Sequence, residues 1–235
     1  MELKYKRILL KLSGEALAGE KKSGFDETVI ASICGGIRKA HDQGVQIGIV
    51  VGGGNFWRGR SSGKMDRMDA DKIGMLATVM NALAVKDALR QQGVPAVVMT
   101  SAVMPQVAET FTSDKAIAAL EAGTIVVFGG GTGNPIFSTD TASALRALEI
   151  SADAMLKATM VDGVYDKDPH KYPDAVRYET LTFTKVLDER LAVMDSTAAS
   201  LCRDNDLPIL VFDLGDPDNI ARAACGEKVG TLVRE

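Results

Sequence analysis

Histidine is scarce in this chain: of 235 residues only His41 and His170 are histidines, which excludes a histidine-rich metal centre. Cysteine is almost as rare. Cys34, Cys202 and Cys225 are odd in number and far apart, a pattern that excludes a disulfide framework or thiolate metal site and suits a reducing, cytoplasmic setting. No apolar run is long enough to span a bilayer, and the opening residues lead straight into a strand-like stretch without a leader pattern. Nor is there a charge bias of the kind nucleic acid demands. The formal net charge is -4 and the basic residues are scattered, so neither a membrane nor a nucleic-acid partner is expected.

What the chain does contain is an alternation of short apolar runs and amphipathic stretches. Residues 8–12 (Ile-Leu-Leu-Lys-Leu) read as a buried parallel strand, as do 45–51, 94–100, 124–128, 154–158 and 208–214. Helical spacing is expected from Asp26 to about Ala40, over 71–91, 112–123, 139–148, 184–191, 196–206 and 218–225, with a last short strand over 230–233. Strands alternating with helices predict an α/β fold: a three-layer α/β/α sandwich around a mostly parallel central sheet. We expect a single domain over 1–235. Gly35-Gly36 inside the first of these helical stretches predicts close packing against another element; Leu76, Val79, Met80, Leu83 and Leu89 fall on or near one stripe of the 71–91 stretch, and the methionines at 65, 68, 75 and 80 suit packing or a partner subunit.

Three predicted strand ends carry unusual turns: Lys11-Leu12-Ser13-Gly14, Gly52-Gly53-Gly54-Asn55, and Gly129 through Asn134. Glycine lets backbone N–H groups approach an anion without an intervening Cβ, and ligands in open α/β sheets gather at carboxyl strand ends. The pattern matches neither Gly-x-x-x-x-Gly-Lys-Ser/Thr nor Gly-x-Gly-x-x-Gly after the first strand, so P-loop and ordinary dinucleotide sites are excluded. Candidate cations beside these ends are Lys11, Arg58 and Lys157. Candidate carboxylates are Asp71, Asp140, Asp162, Asp168 and Asp195. Phosphoryl transfer needs alignment and neutralised charge more than a nucleophilic side chain, and this inventory suits it. Taken residue by residue, Lys11 is also compatible with an edge-strand lysine, Asp140 and Asp195 with helix caps, and the polar loop Gly19-Glu20-Lys21-Lys22-Ser23-Gly24 with a solvated connector or an anion-responsive loop.

Taken together, Lys11-Leu12-Ser13-Gly14, Gly52 through Gly59, Asp71 with Gly74 through Asn81, Gly131 through Asp140, and Val161 through Pro169 resemble the bacterial uridylate (UMP) kinases of the amino-acid-kinase superfamily over essentially the whole chain. The resemblance implies transfer of the ATP γ-phosphoryl group to UMP, giving UDP, in line and with Mg2+. It implies a catalytic set of Lys11, Arg58 and Asp140, the aspartate orienting the lysine. Lys11, Leu12, Ser13, Gly14, Gly54 and Arg58 would meet the ATP phosphates, and Thr159, Tyr165 and Asp168 its adenosine. Gly53 and Asp71 would meet UMP, Asp71 through the ribose hydroxyls. Thr132, Gly133, Asn134 and Pro135, continuing through Ile136, Phe137, Ser138 and Thr139, would wrap its other side. The N-terminal half would thus carry mainly the acceptor site and the C-terminal half mainly the ATP site. The resemblance further implies a homohexamer built as a trimer of dimers, activated by GTP and inhibited by UTP, with the loop Gly19, Glu20, Lys21, Lys22, Ser23, Gly24 where GTP control lies. Trp57 departs from the family's usual phenylalanine or tyrosine, and Lys64 and Lys72 follow no family pattern. A relative acting on a carboxylate or carbamate, or a nucleotide sensor without turnover, are the alternatives that a substrate panel separates.

Overall fold

The computed structural model describes residues 3–57, 63–191 and 193–235. Its strands are β1 (Arg7–Leu12), β2 (Gln46–Val51), β3 (Ala96–Thr100), β4 (Glu109–Thr110), β5 (Ile125–Gly129), β6 (Ala154–Thr159), β7 (Thr180–Leu181), β8 (Ile209–Asp213) and β9 (Gly230–Val233). The helices are α1 (Gly14–Ala18), α2 (Glu27–Asp42), α3 (Arg67–Gln91), α4 (Ser113–Glu121), α5 (Thr139–Glu149), α6 (Phe183–Asp188), α7 (Ser196–Asp204) and α8 (Asn219–Ala224). The strands form one sheet in the order β4-β3-β5-β2-β1-β6-β8-β9-β7. Among the described residues its only antiparallel ladder is β8–β9.

Strand side chains alternate between the two faces, and the sheet core divides accordingly. Ile8, Leu10 and Leu12 of β1, with Ile47 and Ile49 of β2, pack under α2, α3 and α8. Leu9, Val50, Val126, Phe128 and Met155 face the other way, under α4, α5, α6 and α7. Helices on both faces of a largely parallel sheet make the expected three-layer sandwich. No described helix is long and apolar enough to cross a membrane.

Helix starts follow their caps. Asp26 accepts from the N–H groups of Thr28 and Val29, Thr112 from Lys115 and Ser138 from Thr141. The long helix α3 begins four residues earlier than expected, because Asp66 accepts from Met68 and Asp69 and turns a charge-rich stretch into a first helical turn. A second departure concerns its apolar stripe. Ala77, Val79, Ala82, Val85 and Leu89 are buried, but Leu76 and Met80 point outward and are about half exposed. Gly36 of α2 packs against Pro217, whose carbonyl a Cβ at position 36 would overlap; Gly35 has no such close neighbour, so the expected close packing holds for Gly36 alone.

All three cysteines are free. Burial pushes the thiols of Cys34 and Cys202 up to about 12, and Asp140 and Asp195 add to the shift at Cys202. Because the thiolate is the reactive form, we expect a thiol reagent at neutral pH to label the partly exposed Cys225 in the native chain. Cys34 and Cys202 should react only after denaturation. Fast native labelling of all three would contradict this packing.

Candidate active site

The carboxyl ends of the central strands open onto a cavity of about 550 Å³. Its walls come from all three unusual turns: Lys11, Ser13 and Gly14 after β1, Gly52–Gly54 after β2, and Gly131, Thr132 and Asn134 after β5. Asp71, Gly74, Met75 and Thr78 of α3 close one side, and Pro135 through Thr139 close another. A volume of this size suits a nucleotide-sized ligand.

The first turn is short because Ser13 caps α1 at once, accepting from Ala16 N–H at 3.2 Å. Gly14 then sits so close to its neighbours that an added Cβ would lie 2.6 Å from the Gly52 carbonyl oxygen and 2.6 Å from Asn55 Oδ1. Any side chain there would push the two phosphate-sized turns apart.

The charged centre follows from strand register. β1 and β6 are parallel neighbours in which Lys11 pairs with Lys157. Both lysines share the face of Leu9 and Met155, the face covered by α5. Asp140, the second residue of α5, meets both of them. Its Oδ1 lies 3.2 Å from Lys11 Nζ and its Oδ2 2.8 Å from Lys157 Nζ. The three side chains are between 11% and 18% exposed, so this is a largely desolvated ion triad. Lys157 also donates to the Val193 carbonyl. Asp140 Oδ1 receives no well-aligned hydrogen bond despite the nearby ammonium, so Lys11 touches Asp140 by charge and retains donors for a ligand.

Burial pushes the Asp140 carboxyl up, but the charges of Lys11 and Lys157 and the hydrogen bond from Lys157 outweigh it and hold the group below the ordinary carboxylate value. For Lys157 burial wins: it lowers the ammonium below its usual value against the pull of Asp140, and repulsion from Lys11 adds to the lowering. Asp140 is therefore more than a helix-terminal residue, and Ser138 does the capping instead.

Asp195 is a cap and also a junction. It accepts from Ala198 N–H at the start of α7, from Thr141 Oγ1 at 3.0 Å and from the Ser138 hydroxyl. It thereby ties α7 to the first turn of α5. Across the cavity, Asp71 Oδ2 accepts from Ile136 N–H at 2.8 Å and Arg67 Nε at 2.9 Å, fixing the 132–137 loop against α3. Behind that loop the buried Arg146 donates to the Gly131 carbonyl at 3.2 Å, pairs with Glu149 and lies 4.1 Å over the Phe111 ring.

Several residues singled out from sequence stand elsewhere. Leu12 is fully buried among the residues under α2, so only its main chain faces the turn, accepting from Gly52 N–H at 2.9 Å. Gly133 is not on the cavity wall although both its neighbours are. Thr159, Tyr165 and Asp168 also lie off that wall, along the segment that leaves β6. Thr159 Oγ1 donates to the Val161 carbonyl, and Tyr165 donates to Asp162, which pairs with Arg177. Asp168 accepts from His170 N–H and pairs with Lys171; these hold its carboxyl below the ordinary value. The residues Gly19–Ser23 are exposed and begin with a 3-10 turn over Gly19–Lys21. Arg58 lies outside the described residues. Sequence reasoning missed Glu15, Arg67, Met75 and Thr78 as cavity residues. Their signal was helical position relative to the glycine turns, which needs the fold to read.

The amino acid kinase family model matches residues 6–213. The UMP kinase of Bacillus anthracis is 39% identical over 98% of this chain and 96% of its own, with a TM-score of 0.95. The UMP kinase of Ureaplasma parvum is 35% identical over 100% of both chains, with a TM-score of 0.93. The uridylate kinase of Archaeoglobus fulgidus is 27% identical, with a TM-score of 0.71, over 96% of this chain and 99% of its own. With the family model matched over most of the chain and the fold shared over nearly its whole length, the protein belongs to the amino acid kinase family.

Proposed function

We propose that this chain is an ATP-dependent UMP kinase that transfers the γ-phosphoryl group in line to UMP, giving UDP. The observation that carries the reading is Lys11 at the floor of a glycine-walled cavity, held there by an aspartate that it shares with Lys157 behind it. Such a floor concentrates positive charge where phosphoryl charge develops, and needs no protein nucleophile. The two UMP kinase relatives above 30% identity, matched over nearly their whole length, supply the acceptor.

In this reading Lys11 meets the transferring group, Asp140, itself fixed by Lys157, holds Lys11 in place, and Ser13, Gly14 and Gly54 present main-chain N–H groups to the ATP phosphates. Arg58 would bridge donor and acceptor phosphates. UMP lies between Gly53, Asp71 and the 132–139 segment. Thr159, Tyr165 and Asp168 receive the adenosine beyond β6, so that the N-terminal half is mainly acceptor and the C-terminal half mainly donor.

The donor set fits a magnesium ion carried on phosphates. Among the described residues no three carboxylate, histidine or cysteine side chains gather as a ligand cage, and Asp140 is already engaged by two lysines. Mg2+ keeps several waters and binds chiefly through substrate phosphates, with Asp140 the carboxylate nearest the lysines that share them. When bound, such an ion would supply neutralisation of phosphate charge beside Lys11. A trimer-of-dimers hexamer, with GTP activation and UTP inhibition in a cytoplasmic setting, completes the reading; the exposed Leu76 and Met80 on α3 supply an apolar face for subunit contact.

The test is ADP formation by purified protein with Mg2+ and ATP, offering UMP, CMP, dUMP, AMP, acetylglutamate, or bicarbonate with ammonia, each with and without GTP. Turnover on UMP above all others is expected. Turnover confined to a carboxylate or carbamate acceptor would overturn the assignment. Asp71→Asn is expected to raise KM for UMP about tenfold or more with a smaller change in kcat, since a charged acceptor loses its charge. An unchanged UMP titration would remove Asp71 from the acceptor site.

A further inference from the structure

Beneath the glycine turns lies a polar pair that the chemistry above does not use. Asn81, on α3, is fully buried, and Asn55, closing the second turn, is 2% exposed. Their amides face each other: Asn81 Nδ2 donates to Asn55 Oδ1 at 2.7 Å, and Asn55 Nδ2 to Asn81 Oδ1 at 3.1 Å. The remaining amide protons leave the pair in opposite directions. Asn81 donates to the Gly52 carbonyl at 2.5 Å, and Asn55 to the Gly24 carbonyl at 2.8 Å. Gly24 N–H returns a bond to the Asn55 carbonyl at 3.2 Å, and Phe25 meets Phe56 edge-on at 5.1 Å.

Every amide proton of the pair is thus committed, and a closed buried network of this kind fixes geometry strongly. One end of it is the turn that abuts Gly14 on the cavity wall; the other is Gly24, the half-buried last residue of the loop whose residues 19–23 are exposed. A core of leucines at these positions would leave the Gly52 carbonyl unpartnered and free to tilt. We propose that Asn55 and Asn81 are positioning residues, which set the Gly52–Gly54 turn against the phosphates and couple it to the 19–24 loop. Movement of that loop is then felt at the turn as a change in turnover. The inference rests on the phosphoryl-transfer reading for its kinetic half, while the mechanical coupling stands on the hydrogen bonds alone.

The experiment compares wild type, Asn81→Asp and Asn81→Leu by steady-state kinetics and by amide hydrogen exchange. Both variants are expected to lose about ten- to a hundredfold in kcat, the scale of a small misplacement, while KM for each nucleotide moves far less. Amides of residues 19–25 should exchange about tenfold faster, with β3 and α4 unchanged. Wild-type kinetics at both variants, or faster exchange spread evenly over the chain with kcat intact, would overturn the proposal. Should the variants not fold, wild type carries the test: a non-hydrolysable ATP analogue should slow exchange at 19–25, and no change there on saturation would overturn the coupling. Absence of UDP formation by wild type would instead remove the kinase reading, and exchange in the ligand-free variants would still judge the coupling.

Discussion

Lys11→Ala is expected to fold as wild type and to lose about a hundred- to a thousandfold in kcat, the usual consequence of removing one preorganised group that stabilises transition-state charge. The structure explains why folding should survive. Asp140 keeps its hydrogen bond from Lys157, so deleting Lys11 leaves no unpaired buried carboxylate. KM for UMP should change much less than kcat, because the proposed UMP site is formed by Asp71 and the 132–139 segment, away from Lys11. The measurement is initial-rate kinetics beside a thermal unfolding curve. Near-normal turnover in a folded variant would remove Lys11 from the reacting centre.

Asp140→Ala should behave in the opposite way, failing in stability as well as in rate. Removing the shared partner leaves Lys11 and Lys157 adjacent on neighbouring strands, both largely desolvated. Breaking a buried ion pair by deleting one member costs about 3–5 kcal/mol. A large fall in the urea midpoint is therefore expected, and a midpoint within experimental error of wild type would contradict the triad. The pH dependence has a definite sign. The Asp140 carboxyl titrates lower in the folded than in the unfolded chain, so below about pH 4, the ordinary aspartate value, the unfolded chain takes up the proton first. The stabilisation from this group is complete above that pH. It is lost as pH falls through the depressed folded value, and Asp140→Ala should lack that part of the acid transition.

Much of this centre can be read from the chain before any coordinates. Leu9-Leu10-Lys11 and Met155-Leu156-Lys157 each place a lysine two residues after an apolar one, so each lysine must share the face of that earlier residue. That both are on one face of adjacent strands is not local information. It depends on β6 joining β1 across the sheet, after β2, β3 and β5 have gone to the other side. The glycine turns were legible for the same local reason, since few other residues permit such close backbone approach. α1 was not: five residues give no helical period, and only Ser13 marks its start. β4 and β7, two residues each, exist because a neighbouring strand offers open hydrogen-bonding groups, not because their sequence asks for extension. The spacing groups Leu76 and Met80 on one stripe of α3 with Val79 and Leu89, yet they face outward while those two are buried. A helix apolar on two sides carries no internal mark of which side faces the sheet.

The alternation along β1 also restricts how this chain can change in length. One residue inserted between Arg7 and Lys11 would rotate the ammonium onto the face of Leu10 and Leu12, among Ile33 and Ile37 of α2, and would turn leucines toward Asp140. The same holds for β6 and Lys157. Insertions and deletions are therefore barred from the two central strands by geometry, whatever residue is added. The exposed stretches at 19–23 and 170–174, which no strand register governs, are where homologous chains are free to differ in length.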